Sequence, residues 1–367
     1  MHHAVIAYDN AIIRAHAEQL LLNIVRAHAH RPVHFTAVSN VAATFNFQVN
    51  VGATPPLGGL EGGFILSPIF GGSISENPTI SIIPIEGQEF TKRLLTPMIE
   101  TTLISLMRQG TGIDMLLRLM AGELRRIDGE QEISFLNLPS RKGLYEEFRK
   151  RVLHLASLQQ SNQLFIEPLT FDQTWIVHFT AAEALEAVEK GYHITYDPNQ
   201  DVYLLRRHIT GRVVITNYDP EVLLNTERVE LEEEAHTGLP NDLLVDIRPG
   251  FPGGEYPLHG KFRLRSFHSM LNFLARGIEE EPEYDVPKDP RTKQIPFNPA
   301  HTLRILKTQN SSEAAALEVN YNGAHYVIQD DSTHSWNQET FRLLYQLFQM
   351  TVTEVSGVHV PRITIAK

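Results

Sequence analysis

The sequence predicts an α+β fold with mixed or antiparallel sheets and several amphipathic helices. Segments of helical periodicity and of two-residue alternation follow one another without the strict strand–helix–strand order of a parallel α/β sheet. One stretch, HFTAVSNVAATFNFQVNVG at residues 34–52, alternates over its whole length. The chain has 367 residues, of which 42% are hydrophobic, enough for one large domain or two ordinary ones. We predict an N-terminal unit over residues 1–160 and an α+β domain over residues 161–367.

The chain begins with a predicted helix over residues 8–28, where apolar residues recur every three or four positions. Pro32 ends this helix, because proline disfavours the helical conformation in the residue before it. The strand that follows is roughly three times the usual strand length of about 5–6 residues. Its odd-numbered positions are apolar except for Ser39, and its even-numbered positions are mostly polar. The pattern therefore predicts a strand with one dry face and one wet face.

Residues 33–85, which we call the arm, are predicted to form a long β-hairpin. A Gly/Pro-rich apolar segment at 52–72 follows the long strand, and residues 79–85 predict a returning strand. Three partners could cover such a strand: a large soluble sheet, a neighbouring subunit, or lipid around a ring whose arms close a multi-chain barrel. The residues predicted to make oligomer or membrane contacts are Phe35, Val41, Phe45, Phe47, Val49, Phe64, Ile69 and Phe70.

The other elements are predicted from the same two periodicities. A helix over 88–108 contains Pro97, which predicts a kink or a break. Residues 231–257 are poorly patterned, and residues 279–299, acidic and then proline-rich, predict a linker or lid. Asn322–Gly323 predicts a hairpin turn. Further helices are predicted over 113–126, 144–157, 181–190, 266–278 and 335–350, and strands over 164–168, 174–179, 192–196, 202–207, 212–217, 303–307, 316–321, 325–329 and 358–365.

Composition and motifs argue against several classes of function. The net charge of −11 argues against a nucleic-acid partner, because phosphates require a basic surface. The absence of cysteine excludes disulfides, thiolate metal sites and cysteine nucleophiles. The sequence contains no uncharged apolar run of about 18 or more residues, so no transmembrane helix is predicted. The sequence has no phosphate-binding loop, nucleophile elbow or HExxH motif, so we predict no cofactor and no catalytic residue.

Two clusters of titratable residues have simpler explanations than metal binding or catalysis. His28, His30 and His34 in HAHRPVH are weak candidates for a metal site, since imidazoles suit zinc, copper and nickel. However, His28 and His30 end the predicted helix, where cationic side chains favour the terminal carbonyls. The acidic run from Glu230 to Glu234 is interpreted as a solvated face.

Four segments of the chain resemble a group of uncharacterised bacterial proteins that are usually preceded by a lipoprotein leader. These segments are LLLNIVRAHAHRPVHFTAVSNVAATF, ENPTISIIPIEGQEFTKRLLTPM, LRSFHSMLNFLA and ALEVNYNGAHYVIQDD. The resemblance implies a location in the cell envelope, periplasmic or anchored to the outer membrane, and it implies no activity. The first ten residues, MHHAVIAYDN, lack the pattern of a signal peptide, and a removed leader would have carried the acylated cysteine.

These observations favour a non-enzymatic structural or assembly component of the bacterial cell envelope. We expect a homo-oligomer that assembles through the arm, with membrane association as a special case. In a ring with closed symmetry, the same contact between arms is repeated at every subunit interface. The alternative is a small-ligand-binding protein or a hydrolase with its site in residues 196–336.

Overall fold

A computed structural model describes residues 2–53, 68–129, 131–177, 181–199, 202–312, 315–329 and 335–352. For residues 37–53 and 68–83 it describes the backbone and its pairing. The helices are α1 (His2–His28), α2 (Gln88–Leu95), α3 (Glu100–Met107), α4 (Ile113–Met120), α5 (Lys142–Gln160), α6 (Ala181–Glu189), α7 (Asn225–His236), α8 (Phe267–Arg276) and α9 (Trp336–Val352). The strands are β1 (Phe35–Ala53), β2 (Pro68–Ile85), β3 (Ala121–Asp128), β4 (Gln131–Leu136), β5 (Phe165–Val177), β6 (His193–Asp197), β7 (Val202–Thr216), β8 (Asp242–Ile247), β9 (Leu258–Leu264), β10 (Ile305–Thr308), β11 (Ala315–Tyr321) and β12 (Ala324–Gln329).

A seven-stranded mixed sheet forms the centre of the fold. Its strands run in the order β4-β3-β9-β8-β7-β5, and β6 pairs with the first part of β7. Neighbouring strands are antiparallel except β7 and β8, which are parallel and connected through α7. A second sheet has the order β10-β12-β11, and β1 and β2 form a ribbon of two strands. The predicted α+β class with mixed and antiparallel sheets is confirmed.

Both faces of the central sheet are covered, and strand β8 displays this most clearly. Leu243 and Val245 belong to the main core, where α4, α5 and α8 also contribute buried residues. Leu244 belongs to a smaller core under α7, on the opposite face. Asp242 and Asp246 lie on the same face as Leu244, because side chains alternate along a strand. Strand β8 therefore presents two carboxylates to the layer between the sheet and α7.

On the central sheet, one prediction is wrong and one strand was not predicted. The helix predicted over 113–126 ends at Met120, and the next residues form β3, which pairs with both β4 and β9. Tertiary hydrogen bonding there overrides a local helical pattern, as it often does. Residues 231–257, whose sequence is poorly patterned, contain the end of α7 and the whole of β8, for which no element was predicted. Strand β8 is buried on both faces, so its sequence lacks the alternation that marks a half-exposed strand.

Other predictions are confirmed, some with changed bounds. The break at Pro97 is present, since α2 ends at Leu95 and α3 begins at Glu100. The turn at Asn322 and Gly323 joins β11 to β12, and their φ angles of 51° and 81° are positive, as a type I′ hairpin turn requires. The strands predicted over 164–168 and 174–179 are one strand, β5, and those over 202–207 and 212–217 are one strand, β7. The strand predicted over 358–365 lies outside the described residues.

The segment between α8 and β10, predicted as a linker or lid, packs against the helices through a buried charge cluster. The carboxylate of Glu283 accepts hydrogen bonds from Tyr145 and Thr302, both at 2.9 Å. The guanidinium groups of Arg118 and Arg149, both 0% exposed, lie 3.9 Å and 3.6 Å from the same oxygen. Burial opposes the ionisation of Glu283, but the two arginines and the Thr302 hydrogen bonds outweigh it and lower its pKa.

The central sheet contains strands from both sides of the predicted domain boundary at residue 160. Strands β3 and β4 come from before residue 160 and strands β5 to β9 from after it, yet they join one sheet. The division of the chain into two domains stays a prediction.

None of the helices in the described ranges combines the length and the apolar composition needed to cross a bilayer.

Candidate functional site

The described part of the arm is a two-stranded antiparallel ribbon. Strand β1 has 19 residues and β2 has 18, and they pair from Phe35 with Ile85 at one end to Ala53 with Pro68 at the other. At about 3.3 Å per residue the ribbon is about 60 Å long. No third strand among the described residues pairs with either β1 or β2. The arm is therefore a hairpin, as predicted, and its two outer edges have no strand partner within the described chain.

The pairing of the ribbon deviates from strict alternation at one residue. Val38 pairs with Ile82 and Asn40 with Ser81, so Ser39 is an extra residue in β1. Such a bulge shifts which residues of the bulged strand share a face. Strict alternation predicts that Phe35 shares a face with the later odd-numbered residues of β1. Because of the bulge, it does not.

Beyond the bulge, the register sorts residues by polarity. Residues directly opposite one another in an antiparallel pair belong to the same face. What we call the apolar face comprises the pairs Val41–Ile80, Ala43–Pro78, Phe45–Glu76, Phe47–Ile74, Val49–Gly72, Val51–Phe70 and Ala53–Pro68. What we call the polar face comprises Asn40–Ser81, Ala42–Thr79, Thr44–Asn77, Asn46–Ser75, Gln48–Ser73, Asn50–Gly71 and Gly52–Ile69. Two strands distant in sequence thus combine into one ribbon with two chemically different faces.

The ribbon begins in the main core. Phe35 is 1% exposed and stacks on Phe348 of α9, with ring centroids 4.6 Å apart. Phe90 of α2 and Phe267 of α8 surround the same ring at 5.9 Å and 6.4 Å. Ile85, which pairs with Phe35, is 4% exposed. Three helices therefore hold the first residue pair of the arm.

Helix α1 holds the chain where it enters the arm. The side-chain amide of Asn23, which is fully buried, donates to the carbonyl oxygen of His34 and accepts from its backbone N–H, both at 2.8 Å. Gln19, one turn earlier, donates to the hydroxyl oxygen of Thr36 at 2.5 Å. These hydrogen bonds mimic a strand partner, so the start of β1 is paired on the side of α1.

The predicted contact residues divide between this base and the ribbon. Phe35 lies in the core, as described above, and Phe64 lies outside the described residues. Ile69 pairs with Gly52, on the polar face, although it was predicted to make apolar contacts. The remaining predicted residues belong to the apolar face; they are Val41, Phe45, Phe47, Val49 and Phe70.

The three histidines considered as metal ligands are not brought together. His28 lies 3.1 Å from Glu279, and His30 lies 3.5 Å from Glu280, in both cases between the ring Nε2 and a carboxylate oxygen. His34 is held through its backbone. No group of three or more metal-ligating side chains occurs among the residues that the structure describes.

A second candidate site lies on the sheet face under α7, within the region 196–336 predicted for an alternative function. The register places Asp242 of β8 opposite Arg263 of β9, and Asp246 opposite His259. Asp242 contacts both Arg263, at 3.0 Å, and Arg125 of β3. The sequence pattern does not reveal these residues, because their partners lie on other strands.

His259 is held between two carboxylates. Its Nδ1 lies 3.0 Å from Asp246, and its Nε2 lies 2.9 Å from Glu234 of α7. The hydrogen bonds to Asp246 and Glu234 raise its pKa to about 9. An imidazolium that donates from both nitrogens keeps its proton, so this geometry suits an ion-pair network and not a general base. Glu234, together with the 7%-exposed Glu232, corrects the interpretation of the acidic run as a wholly solvated face.

A groove of about 440 Å³ adjoins this network. Lys261 and Arg125 line it, together with the carboxylates of Glu132 and Glu234. Lys261 donates to the backbone oxygen of Glu234 at 2.6 Å and to the hydroxyl of Thr237 at 3.0 Å. Arg125 is bound to Glu132 at 3.2 Å. Both cations already donate to partners among the described residues, and a ligand site here stays a prediction.

The pKa of His259 predicts a pH dependence of stability. A histidine with a raised pKa in the folded state stabilises the fold fully below pH 6.5, and this contribution is lost as pH rises through about 9. We expect a loss of about 1–2 kcal/mol, limited by solvent screening because the side chain is 35% exposed. Denaturation of the wild type and of His259→Gln at pH 6 and pH 9.5 measures it. Equal pH dependence in both proteins would contradict the assignment.

The chain was compared with models of known protein families, with curated proteins and with solved structures, and none of these three comparisons found a match.

Proposed function

We propose that the protein is a non-enzymatic assembly component of the bacterial cell envelope and that copies of it associate through the arm. The observation that carries this proposal is the isolation of the ribbon: β1 and β2 pair only with each other among the described strands. The envelope location rests on the resemblance of four sequence segments to bacterial proteins that are usually preceded by a lipoprotein leader. Association rests on the length of the ribbon and on the unprotected edge of β1.

A two-stranded ribbon of this length is unstable alone. Isolated hairpins are marginally stable in water, and three or more strands or a packed layer are needed for independent stability. Core packing secures the ribbon at Phe35 and Ile85, its first pair. The rest of its length needs another partner, and a second copy of the chain provides one of matching length.

The outer edge of β1 favours pairing over isolation, whereas β2 contains Pro68, Pro78 and Pro84. Natural proteins protect a free strand edge with lysine, other charges or proline, because exposed N–H and C=O groups pair with any available strand. The arm contains no lysine or arginine, and its acidic residues are Glu61 and Glu76. Strand β1 has no proline at all. An edge without such protection is suited to β-augmentation by a neighbouring subunit.

A truncated variant tests the proposal. Replacing residues 39–81 by an Asn-Gly turn keeps the pairs from Phe35–Ile85 to Val38–Ile82, and with them the base of the arm. We expect the full chain to be oligomeric and the variant to have the mass of one subunit, below 41.5 kDa, as measured by light scattering in mild detergent.

Two measurements make the result interpretable. Circular dichroism and thermal unfolding establish that the truncated body folds. Co-purification of two differently tagged chains serves as the matched control, since full-length chains should capture each other and a truncated chain should not be captured. A folded variant that keeps the oligomeric mass of the full chain would refute the proposal.

A further inference from the structure

We propose that the distal half of the arm, residues 45–53 of β1 and 68–76 of β2, enters a lipid bilayer with its apolar face toward the acyl chains. This inference rests on the proposed association of arms, because every backbone polar group in lipid must be paired and a lone ribbon cannot satisfy its edges. Pairing between neighbouring arms in a closed ring removes these edges.

The length of this segment fits the hydrocarbon layer. Nine residue pairs run from Phe45–Glu76 to Ala53–Pro68. At about 3.3 Å per residue they extend about 30 Å, close to the thickness of the hydrocarbon core. A strand that crosses a bilayer needs about 9–11 residues.

The distribution of charge delimits the same segment. Glu76, opposite Phe45, is the charged residue at its proximal end, and residues 46–53 and 68–75 contain no Asp, Glu, Lys or Arg. A soluble surface of this size would ordinarily carry several charges, since about a fifth of this chain is charged. Beyond the Phe45–Glu76 pair, the absence of charge on both faces distinguishes this segment from an ordinary solvent-exposed hairpin.

The two faces differ in the way that a membrane assembly requires. Phe47–Ile74 and Val51–Phe70 are typical of lipid-facing pairs. On the polar face, Asn46, Gln48 and Ser73 are uncharged polar residues, a composition that suits the water-filled interior of a ring. The net charge of −11 argues against attraction to anionic headgroups, so the apolar face is the feature that binds.

Flotation with phosphatidylcholine vesicles tests this inference on the full chain. The protein is diluted from detergent into the vesicles and floated in about 1 M salt, where electrostatic attraction is screened. We expect the wild type to float with the lipid. Phe47→Lys, on the apolar face, should lower the partition coefficient at least about 30-fold, and Gln48→Lys, its neighbour on the polar face, should leave it within about threefold.

The outcomes separate this inference from the proposed function. A wild type that is oligomeric by light scattering but does not float would overturn membrane entry and leave association intact; the apolar faces of two arms would then cover each other. A wild type that neither floats nor associates would overturn both. Equal flotation of Phe47→Lys and wild type would exclude the apolar face as the lipid contact.

Discussion

Replacing Glu283 by glutamine is expected to lower the free energy of unfolding by about 3–5 kcal/mol. The change keeps the size of the side chain and removes its charge, which leaves the buried guanidinium groups of Arg118 and Arg149 without a carboxylate. The NH2 group of glutamine cannot accept a hydrogen bond. One carboxylate oxygen is therefore lost as an acceptor, either for the backbone N–H of Thr302 or for the hydroxyls of Tyr145 and Thr302. Chemical denaturation followed by tryptophan fluorescence measures the loss.

Glu281→Gln is the matched control for this substitution. Glu281 lies in the same segment but pairs at the surface with Arg276 at 3.8 Å, and that partner is 45% exposed. Surface pairs of this kind contribute about 0–1 kcal/mol. Because the pKa of Glu283 is lowered in the fold, its contribution is present above pH 4.5 and is lost as pH falls through the folded value. Equal stability of the two variants at pH 7 would disprove the role of the buried cluster.

Local patterns predicted the parts of the fold whose signals are contained in a few neighbouring residues. The Asn322–Gly323 turn and the break at Pro97 follow from backbone chemistry alone, and both are present. Strand β1 was recognised because one of its faces is apolar along most of its length. These elements required no knowledge of what they pack against.

The parts that were missed depend on partners distant in sequence. The bulge at Ser39 exists only in the pairing with β2, so β1 alone cannot reveal that Phe35 leaves the apolar face. Strand β8 resembles a core segment flanked by two surface acids, but Asp242 and Asp246 receive their cations from β3 and β9. A rule that charged residues are solvated fails where the register supplies buried counter-charges.

Phe35→Ala is expected to lower the free energy of unfolding of the body, the part of the chain outside the arm, much more than Phe47→Ala does. The contrast tests whether the apolar face of the arm packs against the body of the same subunit. Phe35 is enclosed by Phe348, Phe90 and Phe267, so its truncation leaves a cavity in the main core. Such a change from phenylalanine to alanine costs about 3–5 kcal/mol. Loss of this contact also frees the first pair of the ribbon, so we expect faster proteolysis within the arm.

Phe47→Ala removes the same side chain from the same strand, twelve residues further along. Trp175 and Trp336, the two tryptophans of the chain, lie outside the arm, so their fluorescence reports unfolding of the body. If the apolar face is covered by lipid or by another subunit, this variant should unfold within about 0.5 kcal/mol of the wild type in mild detergent. If both substitutions cost several kcal/mol and the cost of Phe47→Ala does not change with protein concentration, the apolar face packs against the body of its own subunit, and neither association nor membrane entry through the arm is tenable. The comparison therefore decides whether the conspicuous apolar pattern of β1 serves the fold of one chain or a contact beyond it.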